Sequence, residues 1–292
     1  MRLIYRFFLF FIILFATACS NEKPTITKPL DKRNHENTII TREFYTNDGK
    51  TKFIIDNKAQ LNDHRLDQID HEIQTFYYEI THHYKNPHYD WEKTIKIVLR
   101  SENDISFAKK NEMVLYNTLG DHYLLPHELT HTLLGFGDFK QNEFNAQYGY
   151  LTQEGLAVYL QEKFSPEKIV FPTNGLEIHS IMKYIIAEKQ NIPLKELASN
   201  STCYKYFNSP NQGNADQLLW KSYIHSGSFV KYLIERYGKN KFLQVYNTPD
   251  FISKVNQIYN KSLEELEKEW ISYIRQNVKD LDIQQRGKLL FP

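Results

Sequence analysis

One short stretch of the sequence has the residue types and spacing of a metal site. His127, Glu128 and His131 belong to the run His-Glu-Leu-Thr-His. On a helix, residues i and i+4 lie on one face about one turn apart, so both imidazoles can bind a single zinc ion. Glu128 then lies beside the metal, where it can take a proton from a water whose pKa the metal lowers. The motif therefore predicts metal-assisted hydrolysis with Glu128 as the general base.

A catalytic zinc usually has three protein ligands and one open position, so a further ligand must come from elsewhere in the chain. A metzincin site would need a glycine three positions and a histidine six positions after the second motif histidine. Those positions hold Leu134 and Gly137 instead. Three downstream carboxylates are candidates for the third ligand, namely Asp138, Glu143 and Glu154.

The segment that begins at Glu154 reads Glu-Gly-Leu-Ala-Val-Tyr. Together with the upstream His-Glu-Leu-Thr-His, it resembles the gluzincin metallopeptidases of the peptidase MA-like group. In that family the glutamate on the next helix is the third ligand, so the resemblance implies Glu154, a Zn²⁺ cofactor and a peptide or protein substrate. Gly155 and Ala157 are small, and we expect them to let this helix approach the His127 helix closely.

A weaker, less specific resemblance covers residues 124–273. It implies a zincin-like fold and a catalytic role for Tyr223. In related enzymes, a tyrosine on a later helix donates a hydrogen bond to the oxyanion. On a helix, Tyr223 shares an apolar face with Ser226 and Gly227, which would leave space beside it, whereas His225 points about 200° away. The alternatives are that Tyr223 only packs in the core, or that His225 is the oxyanion donor.

The elements that must position these residues form a mixed N-terminal part. Residues 39–44 and 52–55 are β-prone and flank Asn47-Asp48-Gly49, which predicts a hairpin. Residues 59–84 have the apolar spacing of an amphipathic helix, and strands are predicted at residues 94–99 and 113–116, the latter near a sheet edge.

The rest of the chain is predicted to be almost wholly helical. Helices are expected at residues 126–134, 149–164, 176–188, 216–237, 239–246 and 262–278. Pro126 suits the first turn of the motif helix, and Ser262 with Glu265 has the form of a capping box. We therefore predict an α+β fold with a small N-terminal sheet, a mostly helical C-terminal part, and both zinc-binding helices beneath the sheet.

The N-terminus has the pattern of a secretory signal. Arg2 and Arg6 lie beside a short apolar run at residues 7–15, which is followed by Ala-Thr-Ala and then Cys19. The run is too short to span a bilayer, although an uncleaved signal anchor is the alternative. Small residues before Cys19 resemble the lipobox of bacterial lipoproteins, which implies a lipidated Cys19 and an anchor on the extracytoplasmic side of a bacterial membrane.

These features predict the following organisation of the chain. A signal peptide covers residues 1–18, a lipidated N-terminus and polar tether 19–38, a peptidase domain 39–280, and a C-terminal tail 281–292. Within the domain, residues 39–118 form the α+β part and residues 119–280 form the helical zinc-binding part.

Composition narrows the possible functions. The 36 basic and 35 acidic residues nearly cancel, so the chain lacks the positive field that nucleic acid requires. If Cys19 carries lipid, Cys203 has no other cysteine with which to form an intramolecular disulfide. Two other functions remain open, a surface lipoprotein that binds partners through a non-catalytic zinc site and a zinc amidase that acts on cell wall. A purely structural site gives no reason for Glu128 between the histidines.

Overall fold

A computed structural model of the chain describes residues 41–84, 93–109, 111–120, 122–134, 149–199, 201–207, 214–248 and 250–292. All of them belong to one unit, Ile39–Pro292. The predicted signal peptide, Cys19 and the tether lie outside the described residues, as do the alternative ligands Asp138 and Glu143. Among the described helices, we find none whose length and apolar character would let it cross a membrane.

A five-stranded mixed sheet forms the N-terminal part. Its strands are β1 (Thr41–Tyr45), β2 (Thr51–Asn57), β3 (Lys93–Leu99), β4 (Phe107–Lys109) and β5 (Glu112–Leu115), in the spatial order β1-β2-β3-β5-β4. The three central strands are parallel, and each edge strand pairs antiparallel with its neighbour. The predicted hairpin is confirmed, with Gly49 in the left-handed conformation (φ 72°) that glycine adopts freely. The short edge strand β4 was not predicted.

Helix α1 (Asp63–His83) connects the parallel strands β2 and β3. Asn62 caps its start by accepting a hydrogen bond from the Arg65 amide at 2.9 Å. The predicted apolar face is buried, as Leu66, Ile69, Ile73, Phe76, Tyr77 and Ile80 show. The ring of Tyr77 meets that of Phe53 on β2 edge-on, with centroids 6.2 Å apart, so this face closes the core against the sheet.

The C-terminal part is helical, as predicted. Its helices are α2 (Leu125–Leu134), α3 (Tyr150–Phe164), α4 (Ile178–Ala187), α5 (Leu194–Ala198), α6 (Tyr204–Phe207), α7 (Ala215–Tyr237), α8 (Lys239–Leu243), α9 (Phe251–Tyr259), α10 (Leu263–Asn277) and α11 (Ile283–Arg286). The capping box that begins α10 is confirmed, since Ser262 and Glu265 bond reciprocally at 3.1 Å and 2.7 Å. The structure is therefore α+β, with the sheet confined to the N-terminal part.

The two motif helices lie in successive layers. Helix α2 packs against α1, β4 and β5, whereas α3 packs chiefly against α2 and α7. The expectation that both helices lie beneath the sheet is therefore correct for α2 only. The segment predicted as a C-terminal tail contains α11 and packs on the domain, because Leu281 and Leu289 are buried and Phe291 contacts Trp220 with ring centroids 5.8 Å apart.

Candidate metal centre

Helices α2 and α3 bring three potential metal ligands together. His127 and His131 lie one turn apart on α2, Glu154 projects from α3, and their exposed fractions are only 5%, 2% and 6%. The Nε2 atoms of the two histidines are 3.2 Å apart, and Glu154 Oε2 lies 3.2 Å from one and 3.3 Å from the other. Among the described residues, this buried group could hold a metal ion.

The triangle of ligand atoms fits a tetrahedral ion. Bonds of about 2.0–2.2 Å at tetrahedral angles place ligand atoms about 3.3–3.6 Å apart, close to the observed separations of 3.2–3.3 Å. Two imidazoles and one carboxylate are also the donor set of a catalytic zinc site with an open position. The geometry and the chemistry of His127, His131 and Glu154 therefore agree with each other.

The sequence did not indicate Gln161, which contacts His127 at the ring nitrogen that faces away from Glu154. Gln161, on α3, accepts a hydrogen bond through Oε1 from His127 Nδ1 at 3.1 Å and donates through Nε2 to the Phe171 carbonyl at 2.7 Å. It is seven residues after Glu154, which places both side chains on one face of α3. This i+7 spacing was a signal in the sequence, but by itself it does not indicate that Gln161 contacts His127.

The two carboxylates at the centre have opposite electrostatic environments. Burial disfavours the charged form of Glu154, but the charge of His131 and hydrogen bonds with His127 and His131 outweigh it and lower the pKa of Glu154. Burial raises the pKa of Glu128 to about 7, with His127 opposing and Glu154 reinforcing that shift. Glu154 is thus suited to remain a charged ligand, while Glu128 is suited to exchange a proton near neutral pH.

Tyr223 of α7 lies beside the ligands. Its ring is parallel to that of His127, and the rings of Phe171 and Phe207 contact it with centroids 5.1 Å and 5.9 Å away. The phenol hydrogen-bonds to Glu154, and burial together with the charges of Glu154 and Glu128 raises the pKa of Tyr223 well above its usual value. The hydroxyl is therefore a neutral donor close to the centre.

His225 has a different setting. Its Nδ1 donates to the Lys221 carbonyl at 2.6 Å, and its Nε2 accepts from the Ile192 amide at 2.8 Å. The ring is fully buried and contacts Trp270. Both ring nitrogens of His225 are thus used within the helical core, and the structure brings Tyr223 but not His225 to the ligands.

Gly155 lies against α7, whereas we expected it to lie against α2, the helix of His127. A Cβ on Gly155 would lie 2.5 Å from Val230 Cγ2 and 2.6 Å from the Ser226 carbonyl oxygen, both on α7. Gly227 of α7 similarly meets Val158 of α3 at 2.5 Å. These glycines let α3 approach α7 and not α2, and Gly227 does not leave open space beside Tyr223. The close approach nevertheless matters for the centre, since it brings Tyr223 to Glu154.

Cys203 is buried and its exposed fraction is 1%. Burial raises the pKa of its thiol, which keeps the sulfur in its less reactive protonated form.

Comparisons of the chain with protein-family models and with curated proteins found no match.

Proposed function

We propose that this chain is a zinc-dependent metallopeptidase with a zincin-like fold of the gluzincin type. The observation that carries the proposal is the buried triangle of His127, His131 and Glu154, with Glu128 in the same motif. The likeness to gluzincins at two sequence motifs supports a peptide bond as the scissile bond. A zinc ion bound by these ligands would supply Lewis-acid chemistry, polarising a carbonyl and lowering the pKa of a water.

The chain's own residues have complementary roles in hydrolysis. Glu128 takes the proton of the water that attacks the carbonyl carbon, and then donates it to the leaving nitrogen as the C–N bond breaks. A pKa of about 7 suits both directions of this transfer. Tyr223 remains protonated and donates its hydrogen bond to the oxygen on which negative charge develops.

The proposed function is tested by zinc content and peptide hydrolysis measured on the same samples. The soluble chain from Ser20 is compared with Glu128→Gln, which keeps the shape of the side chain but cannot carry the proton. Glu264→Gln, at an exposed position of α10, is the matched control. We expect wild type and control to bind about one zinc and to cleave a mixed peptide library, and Glu128→Gln to keep zinc but lose cleavage.

Two other outcomes would contradict peptide hydrolysis or zinc binding. If wild type binds zinc but cleaves no peptide, assays with cell-wall amides and with protein partners distinguish an amidase from a binding lipoprotein. If wild type binds no zinc, the metallopeptidase proposal is wrong.

A lipid anchor at Cys19 belongs to the same proposed function, because it would hold the enzyme on the extracytoplasmic face of a bacterial membrane. Its support is the sequence around Cys19 alone. Cells fed radiolabelled palmitate should label the wild type and Cys203→Ser but not Cys19→Ser, which lacks the modified thiol. Equal labelling of Cys19→Ser and wild type, or an unlabelled wild type, would exclude lipidation at Cys19.

A further inference from the structure

The imidazole of His127, on α2, lies between two side chains of α3. Glu154 approaches its Nε2 atom at 3.2 Å, and Gln161, two turns later on α3, approaches its Nδ1 atom at 3.1 Å. Gln161 is itself almost fully buried, with an exposed fraction of 2%. Both nitrogens of this ring are therefore engaged by α3.

The second hydrogen bond of Gln161 determines which way its amide points. The Phe171 carbonyl can only accept, so the Nε2 group of Gln161 must face it, at 2.7 Å. The Oε1 atom then faces His127, and because this oxygen can only accept, Nδ1 must carry the proton. With Nδ1 protonated, Nε2 of His127 is the nitrogen that faces the carboxylate oxygen of Glu154 at 3.2 Å. It can donate a proton to that carboxylate or, in the neutral ring, offer its lone pair to a metal ion.

The carbonyl that orients Gln161 belongs to a fixed segment. The next residue, Pro172, accepts a hydrogen bond through its carbonyl from Trp220 Nε1 of α7 at 2.9 Å. The ring of Phe171 packs edge-on against Tyr223 with centroids 5.1 Å apart. The segment is thus held by α7 and contacts Tyr223, so Gln161 has a stable partner on the side away from the metal site.

We propose that Gln161 is a positioning residue, which holds His127 in the tautomer with a free Nε2 and so sets the metal affinity of the site. This inference rests on the proposed metal site, but not on peptide cleavage. Partners that hydrogen-bond the outer nitrogen of a metal-binding histidine fix the ring and raise its basicity, and their loss costs about 10–100-fold in metal affinity.

The test measures the zinc dissociation constant by competition with a chromogenic chelator, with no substrate present. Gln161→Met keeps the length of the side chain but offers His127 only a weakly accepting sulfur, and we expect its zinc affinity to fall about 10–100-fold. The matched control is Gln153→Met, which removes an equally buried amide of α3 that bonds Asn247 instead of a ligand. We expect this control to lose stability but to bind zinc within about threefold of wild type.

A second variant separates the two hydrogen bonds of Gln161. Gln161→Glu can still accept from His127 Nδ1, but it no longer donates to the Phe171 carbonyl. If the bond to His127 sets the affinity, this variant binds zinc nearly as tightly as wild type, although it is less stable. If Gln161 only supports packing, Gln161→Glu and Gln161→Met lose affinity equally.

The zinc measurements distinguish a wrong role for Gln161 from a wrong metal site. Wild-type zinc affinity in Gln161→Met, or an equal loss in Gln161→Met and Gln153→Met, would overturn the role of Gln161 while leaving the metal site in place. A wild-type chain that binds no zinc would instead refute the metal site and, with it, the basis for this inference.

Discussion

The aromatic ring of Tyr223 lies parallel to the imidazole of His127, with centroids 5.9 Å apart and planes inclined by 11°. The two residues belong to α7 and α2, which meet mainly through α3. The Tyr223 hydroxyl hydrogen-bonds to Glu154. Tyr223 therefore contacts two of the three candidate metal ligands, His127 through its ring and Glu154 through its hydroxyl.

Tyr223→Phe should separate the catalytic from the packing role of this ring. The phenyl group keeps the stacking on His127 but loses the hydrogen bond to Glu154, so zinc affinity should also fall and kcat is measured at saturating zinc. Loss of the donor to the developing oxyanion should lower kcat about 10²–10³-fold. The control is Tyr237→Phe on the same helix, whose hydroxyl bonds Glu269 instead. If Tyr223→Phe retains wild-type kcat for peptide hydrolysis, Tyr223 is only a packing residue.

The third ligand can be identified by substituting each candidate carboxylate in turn. We expect Glu154→Gln to weaken zinc binding by more than about 100-fold, beyond the usual effect of an outer partner. Asp138→Asn and Glu143→Gln should bind zinc like wild type. Chelator competition gives the affinities, and at one zinc concentration the rise in melting temperature should increase with the logarithm of each variant's affinity. A large loss of affinity in either of the other two variants, with Glu154→Gln unaffected, would contradict the gluzincin assignment.

Features with local causes were predictable from the sequence. The buried face of α1, the hairpin at Gly49 and the capping box of Ser262 depend on residues within a few positions of one another. The motif histidines belong to the same class, since helical spacing alone places them on one face. Helix α9 was missed although Asp250 caps it, because its short apolar pattern gave little to separate it from a loop.

Features that depend on tertiary contacts were not predictable in the same way. The small residue Gly155 indicated a close helix approach, but the sequence could not specify whether the partner was α2 or α7. Gln161 is one buried amide among many polar residues, and its role appears only when the fold brings the Phe171 carbonyl to one side and His127 to the other. The sequence also did not show that α3 packs on the side of α2 away from the sheet, because that depends on how the helices pack together and not on either helix alone.

Gly155→Ala should destabilise the protein although alanine is the better helix former. In an open helix the change would stabilise by up to about 1 kcal/mol. Here the new Cβ would lie 2.6 Å from the Ser226 carbonyl oxygen, which is backbone and cannot turn aside. We expect a net loss of about 1–3 kcal/mol in the free energy of unfolding, measured by urea titration. Gly120→Ala, whose Cβ would meet nothing nearer than 3.4 Å, should show little change.

The buried neutral histidine at the back of α7 should make stability depend on pH. Burial lowers the pKa of His225 to about 4, although its hydrogen bond to the Lys221 carbonyl opposes this. Protonation would also remove the acceptor for the Ile192 amide, which lies 2.8 Å from Nε2. In the unfolded chain the pKa is about 6.5, so below that pH the unfolded state binds the additional proton.

The stability that neutral His225 contributes is therefore fully present above pH 6.5 and is lost as the pH falls towards 4. At about 1.4 kcal/mol per pKa unit, the loss should approach about 3 kcal/mol. Urea unfolding of zinc-free protein between pH 4 and 8 measures this without metal release. His225→Gln, which can donate to Lys221 and accept from Ile192 without titrating, should make the profile shallower. The part due to buried His179, whose pKa burial also lowers to about 4, should remain. The exposed control His64→Gln should leave the profile unchanged, and a wild-type profile in His225→Gln would place the pH dependence elsewhere.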